Sequence, residues 1–150
     1  MALDIGYRNM DGEIRVASWM GSDGRRGELR LPARLVTALA HKHELQSLRD
    51  TKFDVIRATR VGWRKVSELP EWLREDTETL SQWKSIQRLH RLVTKWRHNR
   101  FDGDAGMFAI AEAWRIEDAH HLNWLANEAE QARKWRDDLY RKFAAELRRH

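Results

Sequence analysis

Cysteine is absent from the 150 residues of the chain, which excludes a disulfide framework and a zinc site built on cysteine thiolates. No uncharged apolar run reaches the about 18 residues that a membrane-spanning helix needs. Residues 1–20 also lack the apolar core of a signal peptide. From these absences we expect a cytoplasmic protein without a membrane-spanning segment.

Proline and glycine are scarce, at two and eight residues, and most of the glycines precede residue 30. The remainder of the chain is therefore expected to be mostly helical. Eight tryptophans are too much aromatic surface to leave in water, so the chain is expected to fold rather than to stay disordered. The net charge of +5 permits an anionic partner without requiring one.

The first 31 residues predict a three-stranded antiparallel meander. Strands are expected over 2–8, 13–19 and 28–31, with turns between them and an Asp-Gly hairpin signal at residues 11 and 12. From Ala33 the apolar period becomes helical until about Gly62, and a connector with Pro70 follows over 66–72. The expected fold class is α/β, predominantly helical, with a small sheet followed by a long helical part.

Acidic residues are missing between Thr79 and Asp102, and the pattern there predicts a basic amphipathic helix over 80–101. Three interpretations are open for it: contact with a nucleic-acid backbone, binding to a membrane surface or a protein partner, and an ordinary solvated cationic face. Trp96 is expected to anchor the helix on its apolar side. The six cations in this segment are Lys84, Arg88, Arg91, Lys95, Arg97 and Arg100.

A helical hairpin is predicted over 103–150, with the basic helix as its possible partner. Its apolar residues follow a 3-then-4 spacing that is typical of a coiled-coil seam. Five tryptophans at helical spacing near apolar seams are expected to lie in the core rather than to stack on bases: Trp83, Trp96, Trp114, Trp124 and Trp135. The predicted seam consists of Leu122, Leu125, Ala129, Ala132, Leu139 and Phe143.

Asp4 lies inside the first predicted strand, on the face opposite Leu3 and Ile5. A carboxylate held on a rigid strand suits Mg²⁺, and a nearby Gly6 lets substrate or backbone approach closely. The alternative is a solvated polar residue on an edge strand, with Gly6 in a bulge.

The order of these elements resembles the first RuvC segment of type V CRISPR RNA-guided nucleases and of their transposon-encoded relatives. The similarity covers most of the chain, and it depends on the order of several short motifs. Those motifs are Leu3–Arg8, Ile14–Ala17, Leu31–Pro32, Leu48–Asp54, the bridge-helix-like end Trp96–Phe101, and the helical segment after it.

The resemblance implies three segments: a first RuvC-like segment over 1–61, a connector with a bridge-like helix over 62–102, and a hairpin over 103–150. It implies an RNase H-like half-sheet, with Asp4 as the first ligand of a two-metal Mg²⁺ site. It also implies a prokaryotic cytoplasmic protein without a membrane partner, in which the six cations contact the backbone of guide RNA paired with target DNA.

The chain departs from the family pattern because the later Glu and Asp ligands of that family are missing. One carboxylate cannot hold two metal ions, so the chain is expected to be inactive alone and to need the remaining segments of the effector. Endonuclease activity is therefore left undecided. The alternative function is a non-enzymatic helical module that binds nucleic acid or an acidic partner.

Overall fold

The computed structural model describes residues 2–63 and 69–149. Three strands are followed by four helices, and a short 3₁₀ turn at Leu80–Gln82 follows the second helix. The predicted connector over 66–72 lies partly outside the described residues. The elements are β1 (Ala2–Met10), β2 (Glu13–Met20), β3 (Arg26–Leu31), α1 (Ala33–Trp63), α2 (Glu71–Thr79), α3 (Ile86–His98) and α4 (Ala105–Leu147).

The predicted meander is confirmed, since the strands form one antiparallel sheet in the order β1-β2-β3. Asp11 and Gly12 both have positive φ angles, 47° and 84°, as a two-residue hairpin turn requires. The α/β fold class, with a small sheet and long helices after it, is confirmed as well.

Two register shifts interrupt the sheet. One lies in β1 between Ile5 and Arg8, around Gly6, and the other lies in β2 between Arg15 and Ala17. At the second shift the neighbouring residues Val16 and Ala17 are both buried, so strict alternation does not hold along β2. A bulge explains this, because one extra residue changes which side chains face the core.

The described chain divides into two compact units. The first contains the residues up to Leu45 together with those from Trp124 onward, and the second is Gln46–Asn123. Each of the long helices α1 and α4 contributes one part to each unit.

The sheet of the first unit buries one face against the end of α4. Val16, Ala17 and Leu29 form the buried cluster, and Leu139 and Phe143 of the predicted seam pack against it. That part of the seam is confirmed, whereas Leu122 is exposed.

The second unit has the larger core, formed by α1, α2, α3 and α4. Trp83, Trp96 and Trp114 are buried there, as predicted, while Trp124 of the first unit is 43% exposed. The segment after Gly106 contains neither glycine nor proline, so α4 is one continuous helix to Leu147 rather than the hairpin predicted over 103–150. Within the second unit α4 contacts both α1 and α3, through Arg49, His90 and Asp118.

Candidate nucleic-acid interface

The basic helix is shorter than the sequence predicts, because α3 begins at Ile86 rather than near residue 80. Trp83 is extended, and the hydroxyl of Ser85 accepts a hydrogen bond from the backbone N–H of Arg88 at 3.3 Å. This N-cap satisfies a backbone donor that the helix itself leaves unpaired, and it fixes the start of α3. Lys84 therefore lies in the link before the helix.

The two predicted faces of α3 are confirmed. Leu89, Leu92, Val93 and Trp96 are buried, and Trp96 has no exposed surface. The indole N–H of Trp96 donates to Oδ2 of Asp104 at 2.9 Å, which anchors the helix as expected. Burial of this face fixes the direction in which the opposite side chains point.

Four of the six predicted cations lie together on the exposed side, and we call them the cationic face. Arg88 borders two open depressions. The larger, of about 480 Å³, also contains Lys84. The smaller, of about 240 Å³, contains Arg91 and Lys95. The cationic face consists of Lys84, Arg88, Arg91 and Lys95.

The other two predicted cations have acidic neighbours. Arg100 donates to both carboxylate oxygens of Asp104, at 2.8 and 2.7 Å, and its guanidinium lies 3.9 Å from the centre of the Phe108 ring. The side chain of Arg97 lies 3.9 Å from Glu112, which is also paired with Arg115. The structure thus separates Arg97 and Arg100 from the four cations of the cationic face.

Aromatic rings support two members of the cationic face. The guanidinium of Arg88 lies 3.9 Å from the centre of a Trp83 ring, and Nζ of Lys95 lies 4.9 Å from that of Trp72. Arg57 of α1 donates to the backbone carbonyl of Trp83 at 2.7 Å, which helps to fix the position of Trp83 beneath Arg88. Cation–π contacts orient these cations while their N–H groups can still donate to an anion.

A buried ion-pair network fixes α3 against its neighbours. Asp118 is 3% exposed and accepts two hydrogen bonds from Arg49, at 2.9 and 3.0 Å, and one contact from His90 at 2.7 Å. Burial acts to raise the pKa of Asp118, but the bonds from Arg49 and His90 outweigh it and lower that pKa below its usual value. The network joins α1, α3 and α4.

Asp4, the predicted metal ligand, is exposed on the open face of the sheet. It pairs in register with Ser18, which pairs with Glu28, so the three side chains share one face. Across two strand spacings Glu28 lies about 10 Å from Asp4 at the backbone. Arg30 donates to Glu28 and lowers its pKa, and Arg15 lies within 3.8 Å of it.

The residues around Asp4 do not form a magnesium site by themselves. The carboxylate of Glu28 is already paired with Arg30 and Arg15. In 2–63 and 69–149 there is no group of three His, Asp or Glu residues that could hold a metal ion. The bulge around Gly6, which belongs to the alternative interpretation of Asp4 as a solvated residue, is present. This chain therefore offers one candidate ligand, and no catalytic step follows from its described residues.

The cationic face has aromatic and acidic neighbours that were not predicted from the sequence: Trp72, Asp76 and Trp83. They lie on α2 and on the link after it, and the spacing of the cations does not indicate which side chains pack beside them. The sequence does contain a signal that Arg49 is buried and paired. Arg49 lies between Leu45 and Phe53 at four-residue intervals, which places a charge on a buried stripe and calls for a partner.

The chain is similar to several CRISPR-associated DNA-binding proteins named Cas12m. It is 32% identical to the protein of Allomeiothermus silvanus over 151 residues, or 99% of this chain and 28% of that relative. It is 33% identical to the protein of Thermanaerosceptrum fracticalcis over 148 residues, or 99% of this chain and 25% of the relative. The protein of Mycolicibacterium mucogenicum is 27% identical over 164 residues, or 97% of this chain and 27% of the relative.

The chain thus spans about a quarter of the length of the curated relatives that it matches. The predicted resemblance to CRISPR-associated proteins is confirmed, and the names of these three relatives state DNA binding. No family model matches the chain. Within the described residues no helix is long and apolar enough to cross a membrane.

Proposed function

We propose that the chain is part of an RNA-guided, DNA-binding CRISPR effector of the bacterial cytoplasm. The cationic face of α3 contacts the sugar–phosphate backbone of guide RNA paired with target DNA. The observation that carries this proposal is that Arg88, Arg91 and Lys95 are exposed along one side of α3, next to Lys84 in the link before it, while Leu89, Leu92, Val93 and Trp96 bury the opposite side. Similarity to proteins named for DNA binding supports it.

Such a face suits a backbone because phosphates are recognised by charge and position, without regard to base sequence. Arg88 and Lys95 are seven residues apart on α3, which is about 10 Å along the helix axis. In guided recognition, base pairing reads the sequence and the protein holds the duplex by its shape and charge. Arg88 and Lys95 suit the holding of a duplex, because Trp83 and Trp72 orient their charged groups and the Asp118 network fixes α3.

We also propose that Asp4 supplies one ligand to a Mg²⁺ site whose other ligands come from further segments of the effector. Its support is the carboxylate of Asp4 on the open face of β1, with open space beside Gly6 where a substrate could approach. Bound Mg²⁺ would stabilise the charge that develops on phosphodiester oxygens during cleavage.

A second candidate function is a non-enzymatic binding module for nucleic acid or an acidic partner. It is favoured by the arginine contacts that occupy Glu28 and by the lack of further metal ligands near Asp4 among the described residues. Both candidates use the cationic face. They differ in its partner, which is a guide RNA–target DNA hybrid for the first candidate and nucleic acid in general or an acidic partner for the second.

The test measures the affinity of the chain for an RNA–DNA hybrid and for single-stranded RNA and DNA of the same sequence, at one salt concentration. Contact with a guide–target duplex predicts tighter binding of the hybrid than of either single strand. Equal affinity for all three would contradict that assignment and favour the binding module. Absence of binding to any of them would contradict both nucleic-acid proposals.

A further inference from the structure

The smaller depression on the cationic face contains a carboxylate among its cations. It holds about 240 Å³ and is lined by Asp76 of α2, by Trp83, and by residues of α3. The α3 residues that line it are Arg88, Arg91, Leu92 and Lys95. Three cations around one small depression make it a candidate site for a phosphate group.

The charged groups of Arg88 and Lys95 are held by the ring contacts with Trp83 and Trp72 described above. A guanidinium that stacks on a ring keeps its in-plane N–H groups directed outward, where they can donate to phosphate oxygens. The cations are therefore oriented before any ligand arrives, which lowers the entropic cost of binding.

Asp76 is at odds with a site for phosphate alone. Its side chain is 30% exposed, and its carboxylate lies 3.9 Å from Nη2 of Arg88, which is beyond hydrogen-bond distance. Among the side chains and backbone groups that the structure describes, none donates a hydrogen bond to that carboxylate. A negative charge beside a bound phosphate costs affinity unless the ligand also brings a donor for it.

Ribose provides such a donor next to every phosphate. The 2′-hydroxyl of RNA can donate a hydrogen bond to a carboxylate, and deoxyribose has no such group. Acidic side chains accept hydrogen bonds from ribose hydroxyls in the same way in dinucleotide-binding sites.

We propose that this depression is a ribose–phosphate subsite in which Arg88, Arg91 and Lys95 hold a phosphate and Asp76 accepts a hydrogen bond from the adjacent 2′-hydroxyl. The inference rests on the proposed function, and it makes Asp76 a specificity-determining residue. The cationic face then selects the RNA strand of a hybrid, while Asp76 disfavours the DNA strand at the same place.

The experiment compares an RNA–DNA hybrid with the same hybrid whose RNA strand carries 2′-fluoro in place of 2′-hydroxyl. Fluorine keeps the RNA-like sugar shape but cannot donate a hydrogen bond. The wild-type chain should bind the fluorinated hybrid roughly threefold to tenfold more weakly, the range expected for one hydrogen bond. Asp76→Ala should bind both hybrids equally.

Two further variants make the result specific. Asp76→Asn retains an acceptor oxygen and the shape of the side chain, so it should keep part of the preference even if Asp76→Ala were to fold poorly. Glu75→Gln removes the same charge from the adjacent exposed residue and should keep the full preference.

The inference is overturned if the wild-type chain binds both hybrids equally, or if Glu75→Gln loses the preference as Asp76→Ala does. Failure of the proposed function gives a different result, because the wild-type chain would then bind the unmodified hybrid no more tightly than the single strands, or would bind none of these ligands.

Discussion

Asp104 shows how a single residue joins the basic helix to the rest of its unit. Its side chain accepts hydrogen bonds from the indole of Trp96, from the guanidinium of Arg100 and from the backbone N–H of Phe101 at 3.0 Å. The bonds from Arg100 above all hold its pKa far below the usual range of an aspartate. The carboxylate therefore fixes the turn between α3 and α4.

Asp104→Ala should lower the free energy of unfolding by about 1–3 kcal/mol at pH 7, since it leaves the buried Trp96 donor unpaired. A depressed pKa stabilises the fold above the pKa of an unfolded aspartate, about 3.9, and that contribution is lost as the pH falls below it. The difference from wild type should accordingly shrink between pH 5 and strongly acidic conditions, where only the cost of the unpaired Trp96 donor remains. Denaturant unfolding followed by tryptophan fluorescence measures it.

Asp102→Ala is the matched control, because Asp102 is exposed in the same turn. Its stability should stay within about 0.5 kcal/mol of wild type. An equal loss in both variants, or a difference that does not change with pH, would contradict the role given to Asp104.

At the scale of elements, α3 shows which features the sequence could predict. Its two faces follow from the helical period, and the buried side contains the expected Leu89, Leu92 and Trp96. Its first turn could not be placed from the period, because Leu80 continues the apolar pattern upstream. The extended Trp83 and the Ser85 cap decide the start, and both depend on contacts with other helices or on local backbone geometry.

In the sheet, too, the elements could be predicted from the sequence but their irregularities could not. Alternation and the Asp-Gly turn predict three antiparallel strands, and the pairing confirms them. The bulge that buries both Val16 and Ala17 has no comparable signal, since one added residue is compatible with the same composition. The helical period also cannot predict ion pairs between residues that are distant in sequence, such as Arg88 with Asp76 and Arg49 with Asp118.

At the scale of the whole molecule, the two units differ in how much apolar surface they bury. The second unit has a continuous core with Trp63, Trp83, Trp96 and Trp114. The buried cluster of the first unit contains Val16, Ala17 and Leu29, and β1 exposes Ile5 by 74% and Tyr7 by 83%. Since burial is the main stabilising term in folding, the sheet is the less stable part.

We therefore predict that the chain does not unfold in one cooperative transition. Hydrogen exchange should be fastest for β1, an edge strand that pairs on one side within the described sheet, and slowest for the buried turns of α3. Exchange read residue by residue measures this order. A single sharp transition, with the sheet protected as strongly as α3, would contradict it.

The central claim is that the cationic face binds a nucleic-acid backbone, and the salt dependence of binding tests it most directly. The variant Lys84→Gln, Arg88→Gln, Arg91→Gln, Lys95→Gln removes that face. Its matched control is Arg133→Gln, Lys134→Gln, Arg141→Gln, Lys142→Gln, which removes the same charge from exposed positions of α4.

Each cation that contacts a phosphate releases counterions, so its loss should reduce the slope of log affinity against log salt concentration by about 1. With the RNA–DNA hybrid as ligand, the four-cation variant should have a slope shallower than that of wild type by about 3 to 4, while the control keeps nearly the wild-type slope. Equal slopes for the two variants would show that α3 holds no phosphates and would contradict the account.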